Sequence, residues 1–152
     1  MKMIVFLMLA AWIGFSCNQS SEVNESVTAD TAVGVKDGVF IHISEAYQDA
    51  HRALMPLKMA TMMAEDRDVL VYMDIHAVEL LVKGAKELQL GDFEPAHVYI
   101  KTLLEKGVGV YACPTCLKLA GYTADDLMEG VQLANKEAFF GFTKGRILTL
   151  DY

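Results

Sequence analysis

Two cysteines three residues apart, in Cys113-Pro114-Thr115-Cys116, carry the most reactive chemistry in this 152-residue chain. Val108 to Ala112 is a short apolar, β-branched run after Gly107, and Pro114 to Ala120 has helix-forming composition. That pattern predicts Cys113 at a strand-to-helix junction. Proline fits best at the first turn of a helix, so Pro114 places Cys113 at the N-cap, where unpaired backbone N–H groups point toward its sulfur. Partial positive charge there favours the thiolate. Cys116, one turn on, is within reach as a resolving thiol or as a second ligand.

Other residues qualify as helpers. Ser44-Glu45 and Asp74-Ile75-His76 follow apolar runs that read as strands, and parallel α/β sheets bind ligands beyond the carboxyl ends of their strands. Glu45 and His76 are therefore candidates for proton transfer beside the cysteines, and His51 is a weaker one. The competing reading makes each a surface hydrogen-bonding group. His42 lies inside an apolar run and reads as a satisfied interior residue. Met55, Met59, Met62 and Met63 raise a second chemistry, because thioether and thiolate ligands select Cu(I). Their helical spacing also suits a packing face, where methionine fills gaps. A structural zinc site would need third and fourth ligands from His76 or a neighbouring subunit.

Several classes are excluded. A thioredoxin would carry its cysteine pair after the first strand and a later cis-proline, yet no proline follows Pro114. A cysteine phosphatase would need an arginine where Leu119 stands to hold its oxyanion. Neither GxGxxG nor GxxxxGK[ST] occurs, so no nucleotide and no cofactor is expected. The formal charge is −7, without a basic stripe, which argues against nucleic acid. Lys144 and Arg146 read as solvated charges.

The elements that must position the cysteines follow from periodicity. Val39 to Ile43 and Val69 to Met73 are continuous apolar runs, the pattern of strands buried on both faces of a parallel sheet. A helix is predicted from about Asp49 to Glu65, which Pro56 either kinks or starts. Ile75 to Lys83 reads as a short helix, and Pro95 opens another that runs to Lys106 and ends at Gly107. Thr123 heads a capping-box-like start for a short helix to Glu129. Val131-Gln132-Leu133 reads as a fourth strand, Lys136 to Phe142 as a helix and Arg146 to Leu150 as a fifth strand. The alternation predicts a three-layer α/β/α single domain with a mostly parallel five-stranded sheet.

Residues 1 to 17 read as a signal peptide: Met1-Lys2 is weakly positive, Met3 to Phe15 is almost wholly apolar, and Ser16-Cys17 follows. A cysteine there, followed by polar residues, predicts lipidation at Cys17 and anchoring in a bacterial cell envelope; plain secretion is the alternative. Removing residues 1 to 16 takes away one positive charge, Lys2, and leaves −8. Consumption of Cys17 would leave Cys113 and Cys116 as the remaining cysteines, a pair that can persist as a disulfide outside the cytoplasm. Residues 18 to 36 read as a polar, flexible tether, and 37 to 152 as the folded domain.

The order of elements, the cysteine at the end of a central strand and the closing Phe139-Phe140-Gly141-Phe142-Thr143-Lys144-Gly145-Arg146-Ile147-Leu148-Thr149-Leu150 resemble the DsrE/DsrF-like sulfur-relay family over Gly38 to Tyr152. The resemblance implies a five-stranded α/β/α domain that forms trimers or hexamers and carries sulfur as a persulfide on Cys113. Cys116 departs from the simplest one-cysteine pattern of that family. It could attack a Cys113 persulfide, release sulfide and close a disulfide, which would make the chain a sulfur reductase or a dithiol protein. An unknown sulfur donor or acceptor protein is the implied partner. Two alternatives stay open: a soft-metal binding module using the same pair, and a non-catalytic oligomeric scaffold. The high apolar content also predicts a homo-oligomer, which sedimentation at micromolar concentration reads directly.

Overall fold

Three of the predicted apolar runs form the middle of one sheet in a computed structural model that describes residues 35 to 152. These are β1 (Gly38–Ile43), β2 (Asp68–Met73) and β3 (Gly109–Ala112). Two edge strands complete the sheet, β4 (Gln132–Leu133) and β5 (Ile147–Asp151), in the order β4-β3-β2-β1-β5 with every pair parallel. The expected signal segment, Cys17 and the tether up to residue 34 lie outside the described residues. Among the described residues no helix is long and apolar enough to cross a membrane.

Strand order dictates the layers. β1 to β4 step across the sheet in one direction, whereas the β4–β5 connection returns past β1. Crossovers between parallel strands are right-handed, so the reversal puts its helix on the opposite face. The first face carries Val39, Ile41, Ile43, Val69, Val71, Met73, Val110 and Ala112, all buried. It packs against α1 (Ala50–Met63) through Leu54 and Leu57, and against α2 (Ala96–Glu105) through Ile100 and Leu103. The second face is thinner. Its cover is α4 (Lys136–Gly141), whose Phe139 ring stands edge-on to Phe40 and Tyr72 at 5.2 and 5.1 Å. The domain is thus a three-layer α/β/α fold with an all-parallel sheet.

Local chemistry explains the boundaries. Asp49 caps α1 by accepting from the Arg52 N–H at 3.1 Å, so the helix starts at Ala50 and runs through Pro56, whose ring is buried. The cap therefore outweighs the one backbone bond that proline removes. Pro95 takes the cap position of α2 rather than its first turn. α2 ends where Gly107 adopts φ 76°, with Gly107 N–H bonded to Leu104 O and Val108 N–H to Leu103 O, the paired bonds of a Schellman cap. The segments expected as short helices after β2 and after Thr123 are 3-10 turns, Ala77–Leu81 and Ala124–Asp126. Asp126 accepts from both the backbone N–H and the hydroxyl of Thr123.

A thiol site at the carboxyl edge of the sheet

α3 (Pro114–Leu119) begins immediately after β3, with Pro114 in its first turn and Cys113 at the N-cap. The cysteine is anchored from two sides. Its N–H donates to Met73 O at 2.9 Å, extending the β2–β3 ladder, and its carbonyl accepts from Leu117 N–H at 2.9 Å. The Cys113 sulfur accepts from the Cys116 N–H at 3.4 Å. Both thiols are free and half-buried.

The environment pushes the two thiols in opposite directions. Burial raises the Cys113 pKa, but the Tyr72 hydroxyl, the Cys116 thiol and the amides of Cys116 and Thr115 all favour its thiolate and win, so the net effect is a lowered value. Cys116 is raised, first by burial, then by its hydrogen bond to Cys113 and by the charges of Cys113 and Asp74; the Ile75 N–H only partly offsets this. The pair therefore has a built-in polarity. The thiolate is favoured at Cys113 and the thiol at Cys116.

Tyr72 is the residue that sequence reasoning missed. Side chains alternate along a strand, and the register pairs Tyr72 with Tyr111 and Met73 with Ala112, which puts Tyr72 and Cys113 on one face of neighbouring strands. Its own pKa is pushed far up, by burial and then by its contact with Cys113, so the hydroxyl keeps its proton and acts as a donor. Its ring stacks on His42 with centroids 5.4 Å apart and planes at 23°. His42 in turn sits between two carboxylates: Nδ1 is 2.6 Å from Asp151 Oδ1, and Nε2 is 3.0 Å from Asp74 Oδ1. The second contact is short but off-axis, since both atoms are buried without an aligned hydrogen-bond partner. His42, expected as an ordinary interior residue, instead braces the ring that faces the nucleophile.

The other candidates separate. His76 lines a cleft of about 370 Å³ together with Ile75, Glu79, Cys116, Leu119 and Ala120. Glu45 is half-buried just past β1, and its side chain makes no hydrogen bond or ion pair among the described residues. His51 stands edge-on to Phe93 at 5.7 Å. Of the four methionines, Met59 accepts a hydrogen bond from the Tyr152 hydroxyl at 3.0 Å, Met63 packs against the core and Met62 is exposed. Among the described residues no three His, Cys, Asp or Glu side chains form a group that could hold a metal ion.

Ile75, between Asp74 and His76, has φ 43°, which is strained for a β-branched residue. Such strain costs about 1–3 kcal/mol and concentrates at functional sites. Here it accompanies the aim of the Ile75 N–H at Cys116. Ile75→Gly should raise the urea midpoint by the equivalent of about 1 kcal/mol, after allowing for the extra freedom of glycine in the unfolded chain. A lowered midpoint would show that the conformation is not strained.

Fold and site together define a doubly wound parallel α/β domain that presents a polarised cysteine pair beyond the carboxyl end of a central strand. The chain belongs to the DsrE/DsrF-like family, whose model matches residues 37–145. An uncharacterized protein of Methanopyrus kandleri is 31% identical over 110 residues, covering 71% of this chain and 88% of that protein. Among solved structures, the ychN protein from E. coli aligns with a TM-score of 0.61 at 20% identity, over 75% of this chain and 99% of that one. A protein of unknown function from Methanobacterium thermoautotrophicum aligns with a TM-score of 0.56 at 21% identity, over 76% of this chain and all of that one. At those identities the two structures speak to the fold alone.

Proposed function

We propose that this chain is a sulfur-relay or sulfur-reducing protein in which Cys113 takes up sulfane sulfur and Cys116 governs its release. The observation that carries this reading is the placement of Cys113 at the N-cap of α3, its sulfur accepting from the Cys116 N–H at 3.4 Å, with Tyr72 on the same face of the neighbouring strand; the opposite displacement of the two thiols agrees with it. Family membership is in accord with it.

The Cys113 thiolate attacks the terminal sulfur of a donor persulfide, R–S–SH. A new S–S bond forms, the donor S–S bond breaks, and the donor leaves as RS⁻, with the persulfide on Cys113 keeping the proton. Two exits follow. An acceptor thiolate can attack the outer sulfur, which regenerates Cys113. Alternatively Cys116, once deprotonated, attacks the inner sulfur, expels HS⁻ and closes a Cys113–Cys116 disulfide, which a dithiol reductant must then open. In this reading His76, beside Cys116 in the cleft, gives a proton to the departing sulfur. Glu45 is a more distant candidate for the same task.

The test uses reduced protein carrying Cys17→Ser and Cys116→Ser in excess inorganic polysulfide, followed to completion by intact-mass spectrometry. One reducible sulfur atom per chain is expected, and none when Cys113→Ser is added. The Cys17→Ser chain with both site cysteines intact should instead release about one sulfide per chain and lose two protons to the disulfide. Failure of the Cys116→Ser protein to gain sulfur overturns the proposal.

A further inference from the structure

The cleft beside Cys116 is small, uneven in polarity and one-sided in charge. Its volume of about 370 Å³ lies at the lower end of the range for small-molecule pockets. Ile75, Leu119 and Ala120 supply an apolar wall, and two of these are large side chains left open to solvent, Leu119 at 82% and Ile75 at 56% exposure. Exposed leucine and isoleucine at the rim of a concave surface favour an apolar occupant. The charged member of the lining is the carboxylate of Glu79, and the field of Asp74 reaches the same sulfur. No lysine or arginine lines the cleft, and His76 is its one basic side chain. A negative ligand would therefore meet the Glu79 carboxylate and lose contact with water on an apolar wall.

We propose that this cleft selects uncharged, apolar-substituted disulfides of low molecular weight and rejects anionic sulfur species. The inference rests on the thiol reading above and adds the class of partner. A bound disulfide R–S–S–R would lay one R group along Ile75 and Leu119. Cys113 does not line the cleft, but its sulfur accepts from the N–H of Cys116, which does; from there it attacks the sulfur nearer it to form Cys113–S–S–R with loss of RS⁻. Cys116 then attacks the Cys113 sulfur, closes the protein disulfide and expels the second RS⁻. The protein dithiol gives up two electrons, and the substrate disulfide becomes two thiols.

Exchange rates at one pH with two chromogenic disulfides test this: neutral dipyridyl disulfide and the dianion of dithiobis-nitrobenzoate, each normalised to its rate with mercaptoethanol. The normalised preference for the neutral probe should be about tenfold at low ionic strength and shrink in molar salt, because a carboxylate several ångströms from the anion acts through solvent-exposed space. Glu79→Gln should reduce the preference, and Glu79→Lys should abolish or reverse it. A normalised ratio near one in the unaltered protein overturns the proposal, as does a ratio indifferent to both Glu79 variants or the absence of exchange with both probes. Sulfur uptake at completion in excess polysulfide does not depend on relative rates. Loss of that uptake would count against the sulfur-relay reading, whereas a flat ratio with uptake intact counts only against selection by the cleft.

Discussion

Replacing Tyr72 by phenylalanine should make two pH–rate curves cross. The experiment follows alkylation of Cys113 by neutral iodoacetamide in chains that also carry Cys17→Ser and Cys116→Ser, so that one thiol reports. Phenylalanine keeps the stack on His42 and the edge contact with Phe139 and removes only the donor. A hydrogen bond to a charged group contributes about 1.5–3 kcal/mol, and discounting for the half-exposed sulfur leaves roughly one pKa unit. The sign follows from which form the donor favours. Tyr72 stabilises the thiolate, so losing it raises the Cys113 pKa. Below both pKa values the variant holds about tenfold less thiolate. Its thiolate is more basic, however, and with a Brønsted slope of about 0.4–0.5 each ion reacts roughly threefold faster. The variant is thus about threefold slower in the acidic arm and about threefold faster in the alkaline arm. Damage to packing alone would slow the reaction at every pH, and curves that never cross would sink the donor role.

The largest loss of stability expected from a single methyl group is at Gly145. The chain between α4 and β5 is clasped to the residues before β1. Thr143, buried, donates its hydroxyl to Lys36 O at 2.7 Å and accepts from Gly145 N–H at 3.0 Å; Gly38 N–H donates to Arg146 O at 2.7 Å. Asp37 accepts from Arg146 N–H at 3.0 Å and holds its guanidinium at 2.6 Å, and the arginine keeps this carboxyl below its usual pKa. The ion pair is exposed and contributes little; the backbone bonds matter more. A Cβ on Gly145 would fall on the Lys36 carbonyl oxygen and 2.8 Å from Asp37 Cα, with backbone on both sides and no flexible side chain to yield. Gly145→Ala should therefore cost about 2–3 kcal/mol, or roughly 10 °C in melting temperature. Gly141→Ala is the control, since a Cβ there meets nothing within 4 Å. Because the clasp sets the β1–β5 register, Gly145→Ala should also speed amide exchange in β5 ahead of the rest of the sheet. Equal stability of the two alanine variants would show that the clasp is soft.

The parts of this protein that were legible in its sequence are those whose causes are local. The continuous apolar runs became the central strands, Gly107 ended its helix, and Cys113 with Pro114 formed the strand-to-helix junction, because each depends on neighbours within a turn or two. Pro56 was ambiguous since the deciding residue, Asp49, lies seven positions upstream and acts through a cap. Tyr72 and His42 were not legible as site residues. Both sit in apolar runs where an aromatic or histidine reads as packing, and their roles come from register across strands. His42 meets Asp151 over 109 positions of sequence, a pairing fixed only when β5 adds beside β1. His76 and Glu45 were chosen because they follow strands; only His76 lines the cleft with a cysteine.

That long separation has a bearing on how the thiols behave before the chain is folded. Cys113 and Cys116 are three residues apart and close to each other in any conformation, so a disulfide between them costs little loop entropy even in a disordered chain. The donor and its brace come from β1, β2 and β5, and contacts of high sequence separation form late. In the unfolded chain these two are therefore ordinary thiols, and the pairing of β5 with β1 is what completes the brace. Thiolate character at Cys113 is in this sense a product of tertiary assembly, and its alkylation rate at neutral pH reports whether Tyr72 and its brace are in place.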